Sequence, residues 1–378
     1  MKRRIYFDHA GTTRLSPDIL KTYETLLETY FANSESLYDE GSEVHRMMEK
    51  ARSAAAGLLG VSANEILFTA GSSESNSMAI KGTCFARGDK KHIITSAAEH
   101  SSVMNSCRMM EEIFGYQVTY LPVYADGRVR TEDLQRALTK DTAVVSIMHV
   151  NNETGAINPI EELAHLVKTK SQAFFHTDLT QSICKIPVNL KEIDLASVSA
   201  HKLHGLKGSG ILMKKSHVPM VPLISGGEQE FGLRGGTANA CADMVFARTL
   251  RLALEEQPRF LEHTAKLKAR LIAQLKEIEG IEFNSPIDGI SCIVNFSYEA
   301  IPSEVMQNAL NERGFMVSAR STCESNSNNP SHVLLAMGYS ERRASACIRL
   351  SFSLENSEEE IDLFVNALKE IIKRYGNL

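Results

Sequence analysis

Between about residues 60 and 215, short apolar segments alternate with segments whose apolar positions recur at helical spacing. Several of the short segments are nearly continuous apolar runs, which is typical of buried strands. This pattern favours a mostly parallel sheet that is covered by helices on both faces. The seven predicted strands cover residues 66–69, 92–96, 117–121, 143–149, 174–178, 195–199 and 210–213.

The pattern changes after Gly227. Pro258 precedes a long amphipathic segment, which predicts a helix that ends at Gly280. Ser357 and Glu360 form a capping box that opens a final amphipathic helix. Further short elements are predicted over 292–296, 303–313 and 347–352.

These later elements predict a smaller α+β domain. A chain of 378 residues exceeds the size at which one hydrophobic core stops growing, so we expect about two domains. The prediction is a large domain over 15–250 and a small domain formed by 1–14 and 251–378. We expect the boundary near residue 250 to lie within a continuous helix.

Composition excludes several classes of protein. A hydrophobic content of 43% and a charged content of 23% are ordinary for a globular chain, and the net charge of −5 argues against a general nucleic-acid or membrane binder. No apolar stretch approaches the ~20 residues that span a bilayer, and Asp8 comes too early for a signal peptide. We therefore expect a cytoplasmic protein.

The seven cysteines are scattered, which argues against a disulfide framework or a cysteine zinc site.

Polar side chains follow several predicted strands, where ligands bind in folds of this class. Asp178 ends one strand, and Lys202 comes just after a later one. An acid and a lysine so placed suit pyridoxal phosphate (PLP), which needs a lysine for the Schiff base and a carboxylate for its ring nitrogen. Lys202 alone would more often be a solvated lysine.

Two further segments offer candidate ligands and equally ordinary alternatives. Ser72 and Ser73 open a helix after Gly71, so they either bind an anion or cap that helix. His100 follows the strand 92–96 and can stack on a planar ring or transfer protons, or it is simply a surface histidine.

Other candidate segments are less specific. Asn152 follows the strand 143–149 and either bonds a ring substituent or forms a turn. The glycine-rich loop that ends in Thr237 lacks the Lys-Ser/Thr ending of a P-loop, although its hydroxyl suits a phosphate. His201 and His204 have no further ligands at zinc spacing.

Two residues near the end of the chain point to a substrate. Cys323 lies in a polar loop beside Arg320, where a reactive thiolate can form, although an incidental exposed cysteine is the alternative. Arg349 lies inside an apolar segment, and a buried guanidinium needs a partner such as a carboxylate. An amino-acid substrate would supply that carboxylate.

Taken together, the segments from Tyr6 to Ser351 resemble the cysteine desulfurases (NifS/IscS-like), in the class V branch of the PLP-dependent aminotransferase fold. The resemblance implies an α/β fold of type I, in which a large domain with a mostly parallel seven-stranded sheet is joined to a smaller α+β domain. It also implies a homodimer whose active sites are built from both subunits.

The resemblance assigns a role to each candidate. It implies Lys202 as the Schiff-base lysine, Asp178 as the pyridinium partner and His100 as the ring-stacking acid–base residue. Arg349 would bind the substrate carboxylate, and Cys323 would be the nucleophile, which could also transiently ligate an iron–sulfur cluster. The remaining residues implied in cofactor binding are Asn152 and Gln181 at the ring oxygen, Ser72, Ser73, Ser199 and His201 at the phosphate, and Thr237 at the phosphate of the partner subunit.

The implied reaction converts L-cysteine to L-alanine and leaves a persulfide on Cys323. The sulfur would then pass to an acceptor protein, for iron–sulfur cluster assembly or for tRNA or cofactor thiolation. Three alternatives are kept: a selenocysteine lyase, a cysteine sulfinate desulfinase, and a catalytically weak sulfur-relay protein on the same fold.

Overall fold

The structure is a computed structural model, and it describes residues 4–319 and 329–376. Its strands are β1 (Ile5–Tyr6), β2 (Ile66–Thr69), β3 (His92–Ser96), β4 (Gln117–Leu121), β5 (Thr142–Ser146), β6 (Phe174–Asp178), β7 (Leu195–Ser199), β8 (Gly210–Lys214), β9 (Ile281–Phe283), β10 (Ile293–Tyr298), β11 (Phe315–Met316) and β12 (Cys347–Ser351).

The helices follow the same order along the chain. They are α1 (Pro17–Thr29), α2 (Asp39–Leu59), α3 (Ser72–Ser77), α4 (Thr83–Ala86), α5 (Ser101–Glu112), α6 (Thr131–Ala137), α7 (Ile160–Lys170), α8 (Ala240–Leu275), α9 (Ser303–Glu312), α10 (His332–Ala336), α11 (Glu341–Ala344) and α12 (Glu358–Tyr375).

The main sheet has seven strands in the order β2-β8-β7-β6-β5-β3-β4. The pairs from β4 through β7 are parallel, and β8 runs antiparallel to both of its neighbours. Neighbouring residues pack on opposite faces: Val145 contacts one hydrophobic core and Val144 another. The prediction of a mostly parallel, doubly covered α/β sheet is therefore confirmed.

A second hydrophobic core lies around smaller sheets. The strands β12, β10 and β9 form an antiparallel sheet, and β1 pairs in parallel with β11. The start of the chain thus joins elements near its end, and Asp8 forms an isolated bridge with Ser351. The residue limits of the two domains stay a prediction.

Two predicted elements had wrong bounds. The strand predicted over 143–149 ends at Ser146, although the backbone N–H groups of Ile147 and His149 still donate to the carbonyls of β6. Pro258 does not precede its helix but lies inside α8, and that helix ends at Leu275, before the predicted end at Gly280. Leu250 and Leu267 are both fully buried, and packing on both sides of Pro258 offsets the cost of about 3 kcal/mol for an internal proline.

Candidate active site

One cavity lies where the carboxyl ends of the strands of the main sheet meet, and we call it the central cavity. Its volume is about 240 Å³. Such an edge collects side chains from several loops, as expected for this class of fold. Nine of the predicted site residues line it: Ser72, Ser73, His100, Asn152, Asp178, Gln181, His201, Lys202 and Arg349.

Two other predicted site residues, Ser199 and Thr237, are not among the residues that line the central cavity. Ser199 is buried beside Gly71, where a Cβ on the glycine would stand 3.6 Å from the serine Oγ. Thr237 is exposed in a separate recess with Glu230, so its predicted contact with a partner subunit stays a prediction. Cys323 lies outside the described residues.

Lys202 ends a short 3₁₀ turn, 200–202, that follows β7. Its Nζ donates to the backbone carbonyls of Ala10 and Gly11. The N-terminal segment therefore forms one wall of the central cavity, and the lysine is held against that wall.

Asp178 is the last residue of β6 and is 5% exposed. Its Oδ2 accepts a hydrogen bond of 2.8 Å from Asn76 Nδ2, and its Oδ1 accepts one of 2.9 Å from the Thr180 N–H. Both bonds stabilise a charged carboxylate. The carboxylate is therefore well placed to face a cationic ring nitrogen.

The amide of Gln181 is oriented by its neighbours. Its Nε2 donates to the Ala10 carbonyl at 2.9 Å, and its Oε1 accepts from Lys185 Nζ at 3.0 Å. A lysine ammonium can only donate, so Lys185 fixes the amide oxygen on its own side. Burial lowers the pKa of Lys185. The amide nitrogen of Gln181 remains as the donor toward the central cavity.

Two histidines line the central cavity in different settings. His100 is the N-cap of α5, and its Nδ1 accepts from the Ser102 N–H at 3.2 Å. Burial, reinforced by the charge of Lys202, lowers the pKa of His201 to about 4. His201 is therefore neutral near pH 7, and its Nδ1 lies 3.1 Å from Thr12 Oγ1.

Arg349 is 1% exposed and is paired within the chain. Its guanidinium donates to Asp8 Oδ1 at 2.7 Å and to the Asn152 carbonyl at 2.8 Å. Gly11 makes room for this arrangement, because a Cβ there would lie 2.4 Å from Asp8 Oδ2. The expectation of a carboxylate partner is thus met first by Asp8, which the sequence analysis had not identified.

The central cavity fits PLP on its own geometry. Two buried polar atoms beside it, Thr180 Oγ1 and Arg349 Nε, have no hydrogen-bond partner among the described residues, which suits a polar ligand. The backbone is close-packed here, since a Cβ on Gly210 would lie 2.5 Å from Gly71 Cα. A lysine, a carboxylate and several neutral donors surround one site, as PLP requires.

A larger cavity of about 420 Å³ lies on the other side of the wall formed by Ala10. It shares Gln181 and Lys202 with the central cavity but is not lined by Asp178 or Arg349. The residues with the required chemistry therefore select the smaller cavity as the candidate active site.

Sequence reasoning missed four residues that hold the site residues in place: Asp8, Asn76, Ser102 and Lys185. Asn76 and Ser102 lie within two or three positions of predicted site residues, so proximity in sequence was a usable signal. Lys185 lies four positions after Gln181, in a segment of successive turns. Nothing local in the sequence links Asp8 to Arg349.

Two searches of the described residues bear on other classes of function. Within 4–319 and 329–376, no group of three or more His, Cys, Asp or Glu side chains is arranged to hold a metal ion. In the same ranges, no helix has the length and apolar character needed to cross a membrane.

Comparison with known proteins gives matches over nearly the whole chain. The Aminotransferase class-V family matches residues 5–364. Cysteine desulfurase IscS of Dictyoglomus turgidum is 38% identical over 379 residues, covering 99% of this chain and 96% of the relative. The mitochondrial cysteine desulfurase of Arthroderma benhamiae is 40% identical and covers 97% of this chain and 74% of the relative.

Solved structures give the same result. A NifS-like protein superposes with a TM-score of 0.92 at 36% identity, covering 98% of this chain and 100% of the other. A structure described as SspA in complex with cysteine has a TM-score of 0.81 at 34% identity, covering 93% of this chain and 99% of the other.

Proposed function

The chain belongs to the Aminotransferase class-V family, and we propose that it is a cysteine desulfurase that converts L-cysteine to L-alanine and retains the sulfur as a persulfide. The observation that carries the proposal is the meeting of Lys202, Asp178 and Arg349 in the central cavity. Full-length similarity to cysteine desulfurases favours this reaction over selenocysteine lysis and sulfinate removal.

Enzymes of this family depend on PLP, and we propose that this chain binds it in the central cavity. Lys202 would hold the cofactor covalently, Asp178 would face its ring nitrogen, and the Nε2 of Gln181 would donate to its ring oxygen. Ser72, Ser73, Ser199 and His201 would hold the phosphate. Asn152 would assist at the ring oxygen, and Thr237 would reach the phosphate in a partner subunit.

Bound PLP would supply the electron sink that allows the α-proton of L-cysteine to leave. The Nζ of Lys202 takes that proton once the amine is free. Arg349 binds the substrate carboxylate through its guanidinium and so orients the amino acid. His100 lies at the same cavity and transfers protons at its ring nitrogen.

Sulfur transfer is assigned to Cys323. Its thiolate forms a bond to the sulfur of the substrate as the Cβ–S bond of cysteine breaks. Alanine leaves after its Cβ takes up a proton, and the persulfide stays on the enzyme. The sulfur acceptor is proposed to be an iron–sulfur scaffold or a tRNA-thiolation protein, and the cytoplasmic location stays a prediction.

We also propose that the chain forms a homodimer. Phe31 is 79% exposed and Leu37 is 99% exposed, and large apolar side chains at such exposure are typical of surfaces that meet a partner. Thr237 is exposed as well, as a residue that serves another subunit must be.

The function is tested with Cys323→Ala, assayed for sulfide and alanine released from L-cysteine in the presence of a thiol reductant. We expect at least about a hundredfold loss of kcat, because the nucleophile is removed. Cys241→Ser is the control: Cys241 is buried and donates weakly to backbone carbonyls, which serine can reproduce. Full activity in Cys323→Ala would exclude the persulfide mechanism.

A catalytically weak sulfur-relay protein is the remaining alternative of another class. It is tested through the visible absorbance of bound PLP, which we expect in the purified protein and not in Lys202→Ala. A protein that stays colourless after PLP is added would favour the relay protein over the enzyme.

A further inference from the structure

A chain of hydrogen bonds joins Asp178 to His100 through two residues without an assigned role. Asn76 Nδ2 donates to Asp178 Oδ2 at 2.8 Å and to Ser102 Oγ at 2.8 Å. Ser102 Oγ lies 2.8 Å from His100 Nδ1. Asn76 is 0% exposed and Asp178 is 5% exposed, so water does not compete for these bonds at their acidic end.

The charge of Asp178 sets the direction of the hydrogen bonds that Asn76 makes. A charged carboxylate can only accept, so Asp178 requires the NH₂ side of the Asn76 amide. The same NH₂ group then donates to Ser102, whose own proton is left for His100 Nδ1. Asn76 Oδ1 has no hydrogen-bond partner among the described residues, so the orientation of the amide rests on its bond to Asp178.

A second bond points the same way and is independent of the first. The backbone N–H of Ser102 also donates to His100 Nδ1, at 3.2 Å. A backbone N–H can only donate, so Nδ1 must be the unprotonated nitrogen of a neutral ring. The helix cap and the side-chain relay therefore specify the same tautomer.

We infer that the charge of Asp178 fixes His100 as its Nε2–H tautomer, with Asn76 and Ser102 as the positioning residues between them. The neutral ring then holds its proton at Nε2 and engages Nδ1 within the protein. In the resting enzyme His100 is consequently a proton donor at Nε2 and not a base there. Only this last step, which gives the tautomer its role in turnover, rests on the proposed function.

The tautomer is read directly by long-range ¹H–¹⁵N correlation in the full-length protein labelled with ¹⁵N-histidine, with and without added PLP. Spectra are recorded at about pH 9, above the ordinary histidine pKa of about 6.5. The chain has 12 histidines, and the signal of His100 is the one lost in His100→Gln. We expect the Nε2–H form in the wild type.

Three variants test the links one at a time. Ser102→Ala removes the hydroxyl, Asn76→Ala removes the amide, and Asp178→Asn removes the charge that orients the amide. Each should lower the ratio of Nε2–H to Nδ1–H about threefold to tenfold, which is the net effect of one hydrogen bond. Ser102→Thr should restore the wild-type ratio, and Ser101→Ala is the neighbouring control with no expected change.

Two results would overturn the inference. One is an Nδ1–H tautomer in the wild type. The other is a ratio that changes in Ser102→Ala but not in Asn76→Ala or Asp178→Asn, because the relay would then stop at Ser102. Thermal unfolding shows whether each variant is folded. If Asn76→Ala does not fold, Asp178→Asn tests the same link.

The result is separable from the proposed sulfur chemistry, because the tautomer is measured in the resting protein. If the inference holds and the chain is a desulfurase, Ser102→Ala should lower kcat about threefold to tenfold with KM unchanged. A wild-type tautomer as expected with no turnover of L-cysteine would reject the proposed function alone.

Discussion

Glu99, which precedes His100, is a buried acid that contacts the end of β3 and the segment that follows β5. It is 0% exposed and accepts hydrogen bonds from the Ser96 hydroxyl at 2.6 Å and the Met148 N–H at 2.9 Å. Burial nevertheless raises the pKa of Glu99 to about 8. The folded protein therefore holds a proton here near neutral pH that the unfolded chain releases.

The stability of the fold should depend on this proton. Because the folded pKa lies above the ordinary value of 4.5, the stabilisation is complete below about pH 4.5 and is lost as the pH rises through about 8. In Glu99→Gln the fall in the free energy of unfolding across this window should be smaller, by up to about 1.4 kcal/mol per pH unit. Urea unfolding of the wild type and of Glu99→Gln between about pH 5 and pH 8 measures this difference in the free energy of unfolding.

The matched control is Glu112→Gln, at the exposed end of α5, which should follow the wild type. Parallel pH profiles for the wild type and Glu99→Gln would contradict the assignment.

The glycine-rich loop that carries Thr237 is anchored to the main sheet by a buried ion pair. Arg52 of α2 donates to both carboxylate oxygens of Glu230, at 2.6 and 2.8 Å, and Glu230 Oε2 also accepts from the Phe68 N–H at 2.7 Å. Glu230 and Phe231 have φ values of +47° and +59°, a conformation that costs of order 1 kcal/mol or more at each residue. The ion pair therefore holds a strained turn in place.

Removing one partner of this ion pair should lower the free energy of unfolding, because the other partner stays buried. Arg52→Met should lower the free energy of unfolding by about 3–5 kcal/mol, because the Glu230 carboxylate is left buried and unpaired. Adding Glu230→Gln, which keeps an acceptor for the Phe68 N–H, should recover at least about 1 kcal/mol. Denaturant unfolding of the single and double variants measures both values.

Arg46 offers a control on the same helix. Its ion pair with Glu43 is exposed, so Arg46→Met should change stability by at most about 1 kcal/mol. An equal loss in both single variants would show that burial of the Arg52 pair has no special weight.

At this scale the sequence was a good guide where a strand is buried on both faces. All residues of β2, β3 and β7 are buried, and their bounds were predicted correctly. The start of α8 was predicted wrongly, because the rule that a proline begins a helix uses only local sequence. The burial of Leu250 and Leu267, which stabilises the helix on both sides of Pro258, depends on elements distant in sequence. The strained turn at Glu230 could not be predicted from local sequence either, because Arg52, which holds it in place, lies 178 residues away.

Across the whole molecule, the sequence predicted which residues line the central cavity. It did not predict all of the contacts that hold those residues in place. Asp178 ends β6 and Lys202 comes just after β7, the neighbouring parallel strand, so their proximity follows from the parallel order. The pairing of Arg349 with Asp8 depends on how the N-terminal segment crosses to β12, and no local pattern records that path.

The proposed homodimer gives a prediction for the whole molecule. Leu37→Glu should convert the dimer to a monomer, because it places a charge on a side chain that is 99% exposed in the single chain. Sedimentation velocity of the full chain measures the mass. Ile287→Glu is the matched control, since Ile287 is also apolar and 86% exposed but lies in a different loop.

If Leu37→Glu sediments with the mass of a dimer, the segment around Leu37 is not the interface. A monomeric wild type would reject the dimer itself.

The ion pair of Asp8 with Arg349 also sets an order of events during synthesis. The two residues are 341 positions apart, and a ribosome adds about 5–20 residues per second. Asp8 therefore leaves the ribosome tens of seconds before its partner is made. Because residues 10 and 11 line the central cavity together with Arg349, that cavity is complete only when almost the entire chain has been translated. Binding of a substrate carboxylate by Arg349, as proposed above, is then a step that follows translation of almost the entire chain.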